Sequence, residues 1–306
     1  MLGRLSKIFG AAQVKAARWT MGFTLNYTEN RTISRPTLVP PPSDAHKYSR
    51  GHAMIWSGPT LRTGASRLSA QAALEVGAGL VTIVGDRLAL AEHAAHVTAI
   101  MLREADAGLA CIDSRVTALA VGPAAGTGAN VQTTVLKLLE QDIAIVLDAD
   151  ALTAFEDNPA LLFRATRPND VMTPHVGEFR RLFPDISTED PAIAVRQASD
   201  RAQCVVLLKG PQTWVAAPNG QTLVNRHASP WLATAGSGDV LTGLVCGLLA
   251  QGASPFDAAC MGAWLHGDIG LRAGPGLTAD SMMGYIPLVL RGCLNDASDD
   301  GSRSRT

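Results

Sequence analysis

The chain has 306 residues, 47% of them hydrophobic, which is enough to fill a sizeable core and excludes a largely disordered protein. Its 26 basic and 27 acidic residues create no charge field suited to nucleic acid or a membrane surface. Every apolar run is broken by Gly, Pro or charge before the ~20 residues that span a bilayer, so a small-molecule ligand is expected.

Cys111, Cys204, Cys246, Cys260 and Cys293 stand singly with no C-x-x-C pair, which argues against a disulfide framework or a zinc site and fits a reducing cytoplasm. At the N-terminus, residues 1–28 carry Arg4, Lys7, Lys15 and Arg18 but no acid, with Leu2, Leu5, Ile8, Phe9 and Ala12 near helical spacing. That is the composition of a targeting peptide or of a loose extension. Residues 35–42 form an extended Pro-rich entry, because each proline fixes φ and disfavours helix at the residue before it. Residues 1–45 therefore read as a partly disordered extension, 46–293 as the domain and the polar 294–306 as a disordered tail.

Inside the domain, strand and helix patterns alternate. Residues 53–56 make a short apolar run, a helix with Leu68, Ala72 and Val76 on one face follows, and 80–84 is the next strand. This is a parallel βαβ unit. Residues 118–121, 143–147, 170–172 and 204–208 are continuous apolar runs, as expected of strands buried on both faces. Asn219-Gly220 between 213–217 and 222–225 predicts a hairpin that adds antiparallel strands to the sheet. Val240, Leu241, Leu244, Val245, Leu248 and Leu249 give the helix opening at Asp239 a broad buried face, with Gly243 and Gly247 allowing close approach, and another helix covers 257–271. The fold class is an α/β three-layer sandwich, a mainly parallel central sheet with helices on both faces.

Ligands of such sheets sit outside the carboxyl ends of the strands, so each strand-end motif is a candidate for one cleft. Gly-Pro-Ala-Ala-Gly at 122–126 has glycines where a chain turns tightly. Asp148 and Asp150 end the next strand, and helix capping competes there with a part in placing Mg²⁺ or substrate. Thr-Pro-His-Val-Gly-Glu at 173–178 singles out His175 by its place at a strand end; His46, His52, His93, His96, His227 and His266 are read as ordinary. Lys209, Gly210, Pro211, Gln212 and Thr213 offer a lysine, a glycine and a hydroxyl to a nucleotide phosphate, or a simple turn into the hairpin. Gly236, Ser237, Gly238 and Asp239 combine a backbone-permissive turn with a helix start, which is an anion hole with a carboxylate beside it. Taken alone, that turn is also an ordinary strand-to-helix connection.

In this order the motifs resemble those of the ADP/ATP-dependent NAD(P)H-hydrate dehydratases of the ribokinase-like superfamily. The likeness runs from the His-Lys-Tyr-Ser-Arg-Gly at 46–51 to Asp280 and includes the Leu-His-Gly at 265–267. It implies that Asp239 contacts the hydrated nicotinamide and activates its hydroxyl, that Gly236, Ser237 and Gly238 form the anion hole, and that Ala65, Gly126 and His175 line the hydrate's pocket. Residues Lys209 to Thr213, with Gly238, match the adenine-nucleotide site. It further implies ADP or ATP as co-substrate, Mg²⁺ on the nucleotide phosphates, NADHX and NADPHX as substrates, and a homo-oligomer, a tetramer by preference. Metal ligands are not assigned. Two positions depart from the family pattern: Ala124 replaces a glycine of Gly-Pro-Gly-x-Gly, and Val176 replaces a proline. The rival readings are a small-molecule kinase of the same superfamily and a nucleotide-binding regulator without turnover.

Overall fold

The computed structural model describes residues 22–105 and 109–294. The basic segment through residue 21 and the polar tail from 295 lie outside them.

Strands β1 (Gly22–Tyr27) and β2 (Ile33–Val39) form an antiparallel hairpin of their own. Nine strands make the central sheet: β3 (His52–Trp56), β4 (Leu80–Gly85), β5 (Met101–Glu104), β6 (Ala118–Val121), β7 (Ala144–Leu147), β8 (Val171–Met172), β9 (Val205–Leu208), β10 (Thr213–Ala216) and β11 (Thr222–Asn225). Their spatial order is β11-β10-β9-β8-β7-β6-β3-β4-β5, with β3 through β9 parallel and β10 and β11 antiparallel. The helices are α1 (Gly64–Glu75), α2 (Arg87–Ala94), α3 (Ala129–Leu139), α4 (Asp150–Thr153), α5 (Pro159–Phe163), α6 (Val176–Leu182), α7 (Pro191–Ala202), α8 (Ser237–Ala250), α9 (Pro255–Ala273), α10 (Ala279–Met282) and α11 (Ile286–Gly292).

The alternation of side chains along a strand explains the three layers. Ala53 and Ile55, Ala120, Val146, Val205 and Leu207 face a core shared with α1, α8, α9 and α11. Their neighbours Met54, Leu119, Val121, Ile145, Leu147 and Val206 face a second core built with α3 through α7. Both faces of the central strands are buried, so β6, β7, β8 and β9 read as uninterrupted apolar runs. Helix α8 is the central beam of the first core: every one of its residues is buried except Gly238 and Asp239. Gly243 and Gly247 let α1 cross it closely, since a Cβ at Gly243 would stand 2.2 Å from the Ser69 carbonyl oxygen.

Two features differ from the sequence expectation. The folded part begins well before His46: Ile33 and Leu38 of the hairpin join the first core, Leu38 N–H donates to Cys293 O at 2.6 Å, and Val224 N–H to Arg31 O at 2.9 Å. The hairpin thereby covers the otherwise open edge at β11. Strand β5 was not expected because Met101-Leu-Arg-Glu104 has only two apolar residues; pairing with β4 makes it a strand. All five cysteines are buried, and no described helix is long and apolar enough to cross a membrane.

Candidate active site

The strand order reverses at β3, which has β4 on one side and β6 on the other, and at such a switch point loops diverge to leave a crevice. The loops after β3, β6, β7, β8 and β9 emerge at that edge, and the N-terminus of α8 meets them. Gly236 is the N-cap of α8, with φ +84°. A Cβ there would lie 2.8 Å from both Ala279 Cβ and Leu68 Cδ1, so glycine is required on backbone and steric grounds together. The helix thus opens at Ser237, two residues earlier than expected, and Asp239 lies in its first turn. The amides of Gly236, Gly238 and Asp239 meet no backbone acceptor among the described residues, while Ser237 N–H makes a long 3.4 Å bond to Thr234 O. The open donors are therefore Gly236, Gly238 and Asp239 more than Ser237.

No described group hydrogen-bonds the Asp239 carboxylate. Burial pushes its pKa up to about 6, the charge of Asp148 adds to this, Lys209 opposes it, and Asp150 adds a smaller rise. Lys209 is the counterweight. Its Nζ lies 2.7 Å from Asp148 Oδ1 and 4.0 Å from Glu178 Oε2, and a Cβ on Gly238 would be 3.6 Å from it. Burial pulls the pKa of this lysine down, but Asp148, Glu178 and Asp239 outweigh it and hold the pKa above its usual value. Asp148 does not cap α4, one of the two roles that the sequence left open to it; it holds Lys209, and its second oxygen accepts at 2.6 Å from Oγ1 of Thr242, a residue that sequence reasoning missed. The pair is anchored on both sides within the sheet edge.

His175 is the N-cap of α6 in a capping box. Its Nδ1 accepts from Gly177 and Glu178 N–H at 2.9 and 3.1 Å, and its backbone N–H donates to Glu178 Oε2 at 2.8 Å. An accepting Nδ1 leaves Nε2 as the donor. His266 of α9 is a second residue that sequence reasoning passed over. Its Nε2 lies 2.9 Å from Ser237 O and 3.1 Å from Ser237 Oγ, and burial pushes its pKa down to about 4, so it is a neutral prop under the turn. The signal for it was the Leu-His-Gly at 265–267, whose meaning depends on α9 lying beside α8.

A cavity of about 800 Å³ opens here, lined among others by His175, Lys209, Gly210, Pro211, Thr213, Leu232, Ser237, Gly238, Leu241 and His266. It gathers most of the residues expected at the nucleotide, but Gln212 stays outside the lining. Ala65 and Gly126 also do not line it. Ala65 O accepts from Ser69 Oγ, which also donates to Asp239 O at 2.8 Å. Gly126 N–H donates to Asp150 Oδ2 at 2.7 Å, and Arg62 binds the same oxygen at 3.2 Å. Gly122, Ala124, Gly126 and Ala149 all have positive φ, with Ala124 at +57° paying a steric penalty that the family's glycine avoids.

A mainly parallel nine-stranded sheet with helices on both faces and a helix start at its switch point is the ribokinase-like class of fold. The ribokinase of Thermotoga maritima shares it at TM-score 0.54 and 14% identity, over 79% of this chain and 99% of that one, a likeness of fold alone. The chain belongs to the NAD(P)H-hydrate dehydratase family, whose model matches residues 53–287. It is 39% identical over 253 residues to the bifunctional NAD(P)H-hydrate repair enzyme Nnr of Synechocystis, covering 79% of this chain and 47% of that protein. The Mycobacterium tuberculosis enzyme of the same name is 37% identical over 221 residues, 72% of this chain and 45% of that one. The chain spans about half the length of the curated relatives it matches. The ADP/ATP-dependent NAD(P)H-hydrate dehydratase of Bacillus subtilis, co-crystallised with ATP/Mg²⁺, superposes at TM-score 0.74 with 26% identity, over 84% of this chain and 95% of that one.

Proposed function

We propose that this chain dehydrates the S-epimer of NADHX or NADPHX to NADH or NADPH, with ADP or ATP as the phosphoryl donor. The observation that carries the reading is the Asp239 carboxylate, without a hydrogen-bond partner among the described residues, in the first turn of α8 next to its open amides and within the field of Lys209. Hydroxide is a poor leaving group. Asp239 takes the proton of the substrate's C6 hydroxyl as its oxygen attacks the terminal phosphorus of the nucleotide, and AMP or ADP leaves. The Gly236, Gly238 and Asp239 amides and Lys209 neutralise charge on the transferred group. The ring nitrogen's lone pair then expels inorganic phosphate, and loss of the C5 proton restores the C5–C6 double bond.

Lys209, Gly210, Pro211 and Thr213 border the cavity proposed for the nucleotide, and Ala65 and Gly126 the proposed hydrate side. His175 lines the cavity, at its boundary with Glu178. Mg²⁺ keeps several waters and needs only one or two carboxylates besides phosphate oxygens. The carboxylates at the strand ends are already engaged, Asp148 with Lys209 and Thr242, Asp150 with Arg62 and Gly126, and the buried Glu178 with the His175 backbone N–H, and no cluster of metal-ligating side chains is present among the described residues, so the ion would be carried by the nucleotide phosphates and water. Bound there it would screen charge on the nucleotide phosphates. The homo-tetramer rests on the resemblance, and the cytoplasmic setting on cysteines that stand singly in the sequence.

One assay decides among the readings. Hydrated NADH is mixed with ADP or ATP, and the absorbance of reduced nicotinamide is followed together with phosphate release. Recovery of absorbance with phosphate is the expected result; a stable phosphorylated product supports the kinase, and binding without turnover the regulator.

A further inference from the structure

We infer that Arg62 binds the pyrophosphate of the dinucleotide substrate on the hydrate side of the cleft. The inference deepens the dehydratase reading and rests on it. Arg62 lies in the loop between β3 and α1, three residues before Ala65. Its Nη1 would stand 3.9 Å from a Cβ on Gly126, so the guanidinium lies over that glycine. If the nicotinamide ring sits at Asp239 between Ala65 and Gly126, the remainder of the molecule leaves past Arg62. That remainder is a polyanion.

The chemistry at Arg62 suits a cation waiting for a better partner. Its side chain is 53% exposed and meets Asp150 by a single 3.2 Å contact, and an exposed one-point pair contributes little that an incoming phosphate must overcome. Releasing Asp150 does not loosen the pocket, because the same oxygen keeps its 2.7 Å bond to Gly126 N–H. The neighbouring cations are committed: Arg67 donates to Thr63 Oγ1 at 2.7 Å and Lys209 to Asp148 at 2.7 Å. The planar guanidinium can instead take a phosphate by two parallel bonds.

The backbone under Arg62 is held in place independently. Leu61 is left-handed at φ +65° and 89% exposed, so nothing in the core requires that conformation. Both oxygens of Glu92, from α2, accept its N–H at 2.9 and 3.1 Å, and Glu92 Oε2 also accepts from Thr63 Oγ1 at 3.0 Å. A strained residue clamped by a dedicated carboxylate aims the next side chain, and strain of this kind collects at ligand clamps.

The test is steady-state kinetics on Arg62→Ala and Arg62→Lys, with NADHX, NADPHX and the phosphate-free hydrate of dihydronicotinamide riboside. For Arg62→Ala, KM for NADHX and NADPHX rises about tenfold, in line with loss of a charge-assisted contact. The kcat and the KM for ADP stay, the preference for NADHX over the riboside hydrate collapses, and Arg62→Lys recovers part of it. An unshifted KM for NADHX overturns the inference. So does a loss confined to NADPHX, which puts Arg62 on the 2′-phosphate, or a rise in the KM for ADP, which puts it on the donor. A wild-type chain that never regenerates reduced nicotinamide sinks the dehydratase reading and this inference with it; an active wild type with an unshifted variant sinks this inference alone.

Discussion

On one side of the α8 turn, Lys209, Thr213, Ser237, Leu241 and His266 line a formed cavity whose charges are already paired and whose supports are buried side chains of α8 and α9. On the other side, Arg62, Ala65, Gly126 and Asp150 ride on loops with left-handed backbone at Leu61, Ala124, Gly126 and Ala149, and the charge facing outward is held by one exposed contact. The first side is built by packing and the second by backbone conformation. Changes on the first side should therefore cost stability and binding together, whereas changes on the second should alter substrate handling with small effects on the fold. Asp239 sits at the seam and belongs to neither.

The largest expected effect is at that seam. Asp239→Asn should lower kcat by about 10³-fold, the range of a lost general base, with an unchanged circular dichroism spectrum; near-normal turnover breaks the mechanism. In the wild type, kcat/KM should climb as pH rises through about 6, because the base works only when ionised. Stability runs the other way. A carboxyl whose folded pKa is raised favours the fold fully below its unfolded pKa and loses that contribution as pH rises through about 6. Asp239→Asn should accordingly melt higher than wild type at about pH 8, where the charge is present, and equal melting temperatures would break this account.

Next in size is Lys209→Met. It leaves Asp148 buried with only Thr242 as partner, which should cost about 3 kcal/mol in denaturant unfolding and raise the KM for ADP. A variant that loses nucleotide binding at full stability would show that the cavity side is not held by its ion pair. The smallest effect is on the loop side: Ala124→Gly relieves a left-handed alanine at φ +57° and should add about 0.5 kcal/mol after the extra entropy of glycine is counted. A loss of stability there would mean that the alanine methyl packs more than the backbone strains.

The strands were legible because burial on both faces writes itself as uninterrupted runs such as Ala118-Leu-Ala-Val121, and α8 because its apolar pattern repeats at helical spacing. Strand β5 and the β1–β2 hairpin were not, since β5 becomes a strand only by pairing with β4, and β1 and β2 pair with each other and are held to the domain only by packing on α9 and β11. The candidate site divided in the same way. Asp239, Lys209, His175 and the glycines of the turn announced themselves by residue type at strand ends. His266, Thr242 and Arg62 did not, because a histidine on α9, a threonine inside α8 and an arginine in a loop have no local pattern that separates them from ordinary ones.

The linear chain, then, determined the layers and the positions where a turn must be glycine, since burial and φ are properties of short stretches and of single residues. Only the tertiary structure decided the partnerships. Asp148 reaches Lys209 across 61 positions and Thr242 across 94, and the pKa of Asp239 is set by burial and by charges from two other strand ends. Electrostatic energy depends on distance through space and on the dielectric between groups, and neither is written in sequence order.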